Sequence, residues 1–297
     1  MSGILNQIVG KTSVGAEVIV GSDLDDYIRP LGGSDYIDAK KGFDTVFVFW
    51  PAAKFKLTTV QGTTYLDAVS GASRSDKLVL RNVEAIEFSD KVVSLEIADT
   101  YISTVSKDNF DGGPGIDTVV YGGEVKDYVV KPDVSGIEVS SANFSEGSDW
   151  LLNIERLQFK DKGLAFDLDG HAGVAAKTLG LVFGSAAVAL PNYVGICLDL
   201  MDNKGYTSEQ LMQAALNVKI GADALDPGKV VDFLYTQLTG ALPNAKDKAN
   251  FVDLIVNKTY SIEGLALAAA DLYLSIDPTA PSLVGLATTG LPFILPT

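Results

Sequence analysis

The chain is expected to be a multidomain α+β protein. Its N-terminal half reads as a β-roll or β-sandwich-like structure built from a tandem duplication, and its C-terminal half as an all-α helical domain. Three observations lead there. Acidic residues recur every nine positions in two separate blocks. Each block is followed by a segment of strand-like alternation, and the two segments read as copies. Beyond Asp167 the apolar residues change to helical spacing.

The sharper of the two blocks runs from Ser94 to Val120. Written in nines it reads SLEIADTYI, STVSKDNFD, GGPGIDTVV, with Asp99, Asp108 and Asp117 at the sixth place and Tyr101, Phe110 and Val119 at the eighth. Gly112 to Val120 fits G-G-x-G-x-D-x-U-x at every fixed position, through Gly112, Gly113, Gly115 and Asp117. In that repeat a glycine-rich six-residue turn offers carbonyls and a carboxylate to a hard cation, and a three-residue strand turns its apolar residue inward. Two units make one coil, so Asp99 and Asp117 are expected on the same side. The other block starts at Thr12 as TSVGAEVIV, GSDLDDYIR, PLGGSDYID, AKKGFDTVF. Its sixth places are Glu17, Asp26, Asp35 and Asp44, its eighth Ile19, Ile28, Ile37 and Val46, and its fourth-place glycines Gly15, Gly33 and Gly42. Leu24, Pro30, Ala39 and Lys40 stand where turn geometry prefers other residues, and Lys40 and Lys41 bring positive charge beside a proposed cation. These blocks are therefore expected to bind Ca²⁺; as ordinary turns, the same aspartates and glycines would form a solvated polar face.

On these nines the chain resembles the RTX (haemolysin-type calcium-binding) family of secreted bacterial proteins. The resemblance implies Ca²⁺ at the turns named above. It also implies export by type I secretion machinery through an uncleaved C-terminal signal. The N-terminus, MSGILNQIVGKTSVG, has no basic segment before a long apolar core, so no cleavable signal peptide is expected, and no run approaches the length of a membrane span. An extracellular or cell-surface location is the expectation. The tail at residues 278–297, PTAPSLVGLATTGLPFILPT, is uncharged and apolar. It reads as a secretion signal, an assembly strand or a disordered end.

The β segments open at Gly42 (GFDTVFV) and Gly115 (GIDTVVY) and end in SDKLVLRNVEAIEFSD and SDWLLNIERLQFKD. The spacing from Asp44 to Asp117 gives a period of about 73 residues. Asn82–Glu84 and Asn153–Glu155 read as part of a strand that covers the end of each roll. Trp50, Trp150, Tyr65, Tyr121 and Tyr128 invite a carbohydrate-platform reading, although aromatic residues on strands more often pack in a core.

From LAFDLDGHAG onward, helices are expected from Ala172 and near 191–203, 208–219, 228–240, 245–257 and 262–275. Thr207-Ser-Glu-Gln and Ser261-Ile-Glu-Gly look like capped helix starts. Tyr206-Thr-Ser-Glu-Gln-Leu and Tyr260-Ser-Ile-Glu-Gly-Leu, 54 residues apart, mark a second duplication. This half resembles the DUF4214 helical domain through LAFDLDGHAG and the turn NKGYTSEQL, but its Leu181-Val-Phe-Gly-Ser run lacks the arginine and aspartate usual in that family. Asp167-Leu-Asp-Gly lacks the ligands of an EF-hand and reads as a linker turn, with His171 as a cap or surface residue. The domains are thus expected at 12–98, 99–166 and 167–277, with a tail at 278–297.

Composition bounds the function. Among 297 residues, 38 acids face 23 bases for a net charge of −15, which argues against phosphate-mediated nucleic-acid binding. One cysteine, Cys197, leaves no internal disulfide framework, and one histidine with no H-E-x-x-H excludes the zinc-protease motif. No G-x-S-x-G or phosphate-cradling motif occurs. The chain is therefore expected not to be an enzyme. The reading is a secreted, calcium-binding structural protein of the cell surface or extracellular matrix, self-associating or joined to other surface components. A carbohydrate- or receptor-binding module and a glycan-acting hydrolase with an unidentified carboxylate pair remain as alternatives.

Overall fold

The computed structural model describes residues 6–11, 15–22, 24–40, 42–60, 63–69, 77–95, 98–141, 147–276 and 283–296. They form two compact units, one comprising Met1–Val120 with Val134–Glu155, the other Tyr121–Asp133 with Arg156–Thr297. The α+β class expected from the sequence is what the chain adopts.

The first unit is a roll of short strands. Its first copy contains β1 (Asn6–Val9), β2 (Val18–Val20), β3 (Asp26–Arg29), β4 (Tyr36–Asp38), β5 (Thr45–Val48), β6 (Phe55–Val60), β7 (Thr63–Ala68), β8 (Lys77–Arg81), β9 (Ala85–Phe88) and β10 (Val92–Ser94). Strands β1 to β6 alternate between two sheets, ordered β1-β3-β5-β9-β10 and β2-β4-β8-β7-β6. The pairings β1–β3, β3–β5, β5–β9, β2–β4 and β4–β8 are parallel, and antiparallel hairpins finish each sheet. The eighth-place residues Ile19, Ile28, Ile37 and Val46 all point inward and are buried. They form one core with Leu66, Leu80, Val83 and Ile86. Strands this short bury at most three side chains each, so the stacking of coils, and not any single hairpin, supplies the apolar area that stabilises the roll.

The second copy repeats the element order: β11 (Thr100–Ile102), β12 (Asn109–Asp111), β13 (Thr118–Val120), β14 (Tyr128–Asp133), β15 (Gly136–Ser141), β16 (Ser148–Leu152), β17 (Arg156–Gln158) and β18 (Gly163–Ala165); of these, β14, β17 and β18 belong to the second unit. β11–β13 and β12–β16 are parallel, as their counterparts β3–β5 and β4–β8 are. The offset is 73 residues at Asp44 and Asp117 and 71 at Glu84 and Glu155, because the segment before β16 is shorter by two. Asn82–Glu84 is not a strand, as expected from the sequence, but the turn between β8 and β9; Asn153–Glu155 is its copy. Asn82 and Asn153 adopt left-handed φ values of 51° and 48°, a conformation asparagine tolerates better than most residues. Each is held by a side-chain bond to the equivalent aspartate, Asn82 Nδ2 to Asp38 at 2.9 Å and Asn153 Nδ2 to Asp111 at 2.7 Å.

The second unit carries the helices α1 (His171–Phe183), α2 (Ser185–Val188), α3 (Pro191–Leu198), α4 (Ser208–Ile220), α5 (Pro227–Thr239), α6 (Ala245–Val256), α7 (Ile262–Ile276) and α8 (Leu283–Thr289). The expected capping is present: Thr207 and Gln210 close a reciprocal capping box on α4, and Ser261 Oγ accepts the Gly264 amide at 2.9 Å. The helix expected over 191–203 changes at Asp199 into a π-helical turn, Asp199–Asn203. The last described strand, β19 (Leu291–Phe293), pairs antiparallel with β18. Phe293 sits against Gly163, where a Cβ would lie 2.2 Å from the phenyl ring. α1 joins two cores, one with Val194, Leu198, Leu291 and Phe293 and one with Met212, Leu216, Val230 and Ala270. No helix is long and apolar enough to cross a membrane among the described residues.

Candidate metal centre

The sixth-place acids stack as a ladder along the roll. Three of the carboxylates accept the backbone amide of the acid one coil earlier, 18 residues back. The Glu17 amide donates to Asp35 Oδ1 at 3.0 Å, the Asp26 amide to Asp44 Oδ1 at 2.7 Å and the Asp99 amide to Asp117 Oδ1 at 2.6 Å. Asp99 and Asp117 thus share a side, as their spacing predicts. Three rungs lie outside the nines. Asp44 and Asp117 donate their amides to Glu84 and Glu155, at 2.6 and 2.9 Å, and Asp108 donates to Asp149 at 3.0 Å. The three-residue N-x-E turn shortens the coil, and the longer glutamate still reaches the amide of the coil before it. These three acids were visible in the sequence as part of the duplicated closure, but not as members of the ladder.

The turns divide into two kinds. In GSDLDD, Ser22 donates its amide to Asp26 Oδ2 at 2.6 Å and its hydroxyl to Oδ1 at 3.0 Å. In STVSKD, Thr104 does the same for Asp108, at 2.7 and 3.1 Å. A hydroxyl four residues before the aspartate closes both loops from within. Asp44 and Asp117 have no such residue. Their Oδ2 atoms are buried and have no hydrogen-bond partner among the described residues, although both side chains are fully buried. A buried carboxylate oxygen without a donor is costly unless a proton or a cation meets it.

The electrostatics follow from that burial. Desolvation pushes the carboxyls of Asp44 and Asp117 up to about 8, opposed by the amides they accept and reinforced by neighbouring acids. Glu84 is likewise pushed up to about 8 by burial first, with Asp99 and Asp25 adding repulsion, and Asp99 to about 6 by burial. The glycines serve the turns unequally. Gly33, Gly42 and Gly115 have φ values of 122°, 124° and 155°. A Cβ on Gly42 would lie 2.7 Å from the Leu24 carbonyl carbon of the coil below. At the second place Gly113 adopts φ 72°, and Leu31 and Lys40 adopt the same left-handed region at 59° and 83°. That conformation costs a non-glycine residue about 1–2 kcal/mol, so the worn block is the more strained. Gly112 packs its Cα against the Asp117 carboxylate, where a Cβ would lie 2.6 Å from Oδ2.

Among the described residues no three His, Cys, Asp or Glu side chains converge as a ready-made metal centre. The open turns nonetheless suit a hard cation: an oxygen donor without a partner, in a turn rich in backbone carbonyls, with no nitrogen or sulfur ligand nearby in the motif.

A second polar cluster, in the helical unit, escaped the sequence reading. Arg156, on β17 and only 3% exposed, pairs with Asp167 and, at 3.1 Å, with Asp202 of the π-turn. His171 Nδ1 lies 2.6 Å from Asp202 Oδ1, and Asp167 Oδ2 accepts the Ala172 amide at 3.1 Å. Asp167 is therefore a buried hub and not a linker residue, and His171 joins the cluster through its contact with Asp202. The first copy carries Ala85 at the place of Arg156, so it cannot form the same pairing. Burial pushes the Cys197 thiol up to about 12, so it is not a poised nucleophile.

No family model and no curated protein matches the chain, so neither family resemblance is shown to be membership. Among solved structures the extracellular lipase LipA from Serratia marcescens is similar at 11% identity and a TM-score of 0.17; the match covers 52% of this chain and 38% of the lipase. That neighbour is an enzyme, and the expectation that this chain is not one is withdrawn on that finding. At such a score no residue role passes from the lipase to this chain.

Proposed function

We propose that this chain is a calcium-binding β-roll protein of the cell exterior. In this reading, cation binding in the turns of Asp44 and Asp117 completes the fold, and the roll serves as a building element of a surface or matrix. The buried, partnerless Oδ2 atoms of these two aspartates carry the reading, because they stand at equivalent places in two copies of one repeat. Glu17, Asp26, Asp35, Asp99 and Asp108, with Gly33, Gly42, Gly112, Gly113 and Gly115, form the turns that build the ladder around them. Calcium would cancel the repulsion among stacked acids, so folding and binding are coupled. A chain kept loose where calcium is scarce and folded where it is plentiful suits export, in keeping with the resemblance drawn on the nines. Self-association is supported by the first coil. Among the described residues, β1 pairs only with β3 and β2 only with β4, and Val9, Val18 and Val20 are exposed.

The test is a calcium titration of EDTA-stripped full-length chain, followed by circular dichroism and light scattering. The expected outcome is a rise in β signal and in Tm, with scattering rising alongside. A stripped protein that is fully folded and whose Tm ignores calcium overturns the proposal.

A further inference from the structure

The two copies have diverged at one place, and there the first copy opens a cleft of about 360 Å³. Its walls are the Pro30–Gly33 turn, the end of β5 and the two residues after it (Phe47 to Trp50), Phe55 and Leu78. At the same place in the second copy, Phe49 and Trp50 become Gly122 and Gly123, and Val48 becomes Tyr121. The second copy fills its own space: Tyr121, Tyr128 and Phe159 pack at 5.0–5.2 Å between ring centroids, and the Gly123 amide donates to the Tyr128 hydroxyl at 2.9 Å. The repeat can therefore pack three aromatic rings in this region. In the first copy it is left open, and its rim is aromatic.

Phe49 is 72% and Trp50 37% exposed, and the two rings meet edge to face at 5.7 Å and 87°. One exposed aromatic residue is ordinary; two adjacent ones beside a cleft are not. A cation stands at the same rim. The Arg29 guanidinium lies 5.2 Å from the Tyr27 ring centroid and 5.1 Å from that of Phe47, and has no ion-pair partner among the described residues. Two rings and the Tyr27 hydroxyl thus hold the guanidinium in place, and its remaining donors are left for an incoming anion. Asp35 borders the floor, but it is buried and already accepts the Glu17 amide.

These features define the ligand. β5 is paired on both sides, with β3 and β9, so no strand edge is open for an extended peptide to join. The cleft is of small-ligand size. A wholly apolar ligand would gain little on so open a rim. A ring with one apolar C–H face, outward hydroxyls and a carboxylate satisfies the stacking surface, the solvent and Arg29 together. We infer that the cleft beside Trp50 binds an acidic pyranose, a uronic sugar whose carboxylate pairs with Arg29. The inference goes beyond the calcium reading, and its test is run with and without calcium so that either can fail alone.

The probes are methyl glucuronide and methyl glucoside, titrated against the full chain by tryptophan fluorescence and calorimetry. The glucuronide is expected to bind saturably and about tenfold or more tighter than the glucoside, the scale of one charge-assisted hydrogen bond. R29Q is expected to abolish that preference while leaving glucoside binding unchanged, W50A to weaken both, and W150F to retain the fluorescence signal. Circular dichroism confirms that each variant folds, and the comparison of the two sugars on the unaltered chain stands without any variant. Equal affinity for the two sugars, no saturable binding, or N-acetylglutamate bound as tightly as the glucuronide overturns the inference.

Discussion

At the scale of single residues, what separates the acids is the company of their second oxygen. Asp26 has both oxygens occupied by Ser22, whereas Asp44 offers only Oδ1 to a donor, the Asp26 amide. In D44N the Oδ1 acceptor survives, and the cost of keeping this buried carboxyl protonated near neutral pH disappears. The metal-free variant at pH 7.5 is therefore expected to be more stable than the parent by at least about 1 kcal/mol, roughly 2–4 °C in Tm. Its calcium-induced rise in Tm is expected to shrink. D26N turns an acceptor into a donor facing the Ser22 amide and is expected to cost about 1–3 kcal/mol, with the calcium response intact. Thermal melts in EDTA and in calcium distinguish the two; an equal calcium response in both variants contradicts the assignment.

The same residues fix a pH dependence. In the metal-free fold Asp44, Glu84 and Asp117 hold protons up to about pH 8 and Asp99 to about pH 6. The unfolded chain releases them near pH 4. The folded state therefore binds more protons between about pH 4 and 8, and stability falls with rising pH across that window. In EDTA, Tm is expected to decline from pH 5 to 8.5. In calcium the decline is expected to vanish, because the cation replaces the protons. A Tm that climbs with pH in EDTA is the contrary result. The spacing of nine made the acids legible in the sequence. Their division into closed and open turns was not, since it depends on a hydroxyl four residues upstream that composition alone presents as one more turn residue.

At the scale of elements, periodicity revealed the strands of the nines and nearly every helix, because both encode burial as a repeating pattern. What it missed is tertiary. The π-turn after α3 follows an unbroken helical pattern, Tyr193 to Asn203, and its wider turn carries Asp202 to Arg156. The tail offered no clear period, being uncharged and largely apolar. Its strand β19 is fixed by one complementary pair, Phe293 and the bare Cα of Gly163. G163V is therefore expected to expel the ring and cost as much as F293A, about 3–5 kcal/mol for a buried phenyl group. The double variant is expected to cost little more than either one, since both break the same contact. Additive losses in chemical denaturation would show that the two residues act apart.

At the scale of the whole molecule, one repeat has been used twice and altered for different ends. The first copy keeps four nines with strained second places at Leu31 and Lys40; the second keeps three, one of them unbroken. The second copy carries Arg156 in place of Ala85 and packs Tyr121, Tyr128 and Phe159 together near the place where the first has its cleft. Every acid of the ladder, from Glu17 to Glu155, lies in the first unit, whereas α1 to α8 and the Arg156 network lie in the second. Calcium should therefore act on stability unevenly along the chain. Hydrogen exchange read by mass spectrometry is expected to show β3, β5, β9, β11 and β13 losing protection when calcium is withdrawn. Helices α4, α5 and α7, packed in their own apolar core, are expected to exchange at unchanged rates. Uniform loss across both units would mean that the cation holds the entire chain, and no change anywhere would mean that the stacked acids are stabilised by protons alone.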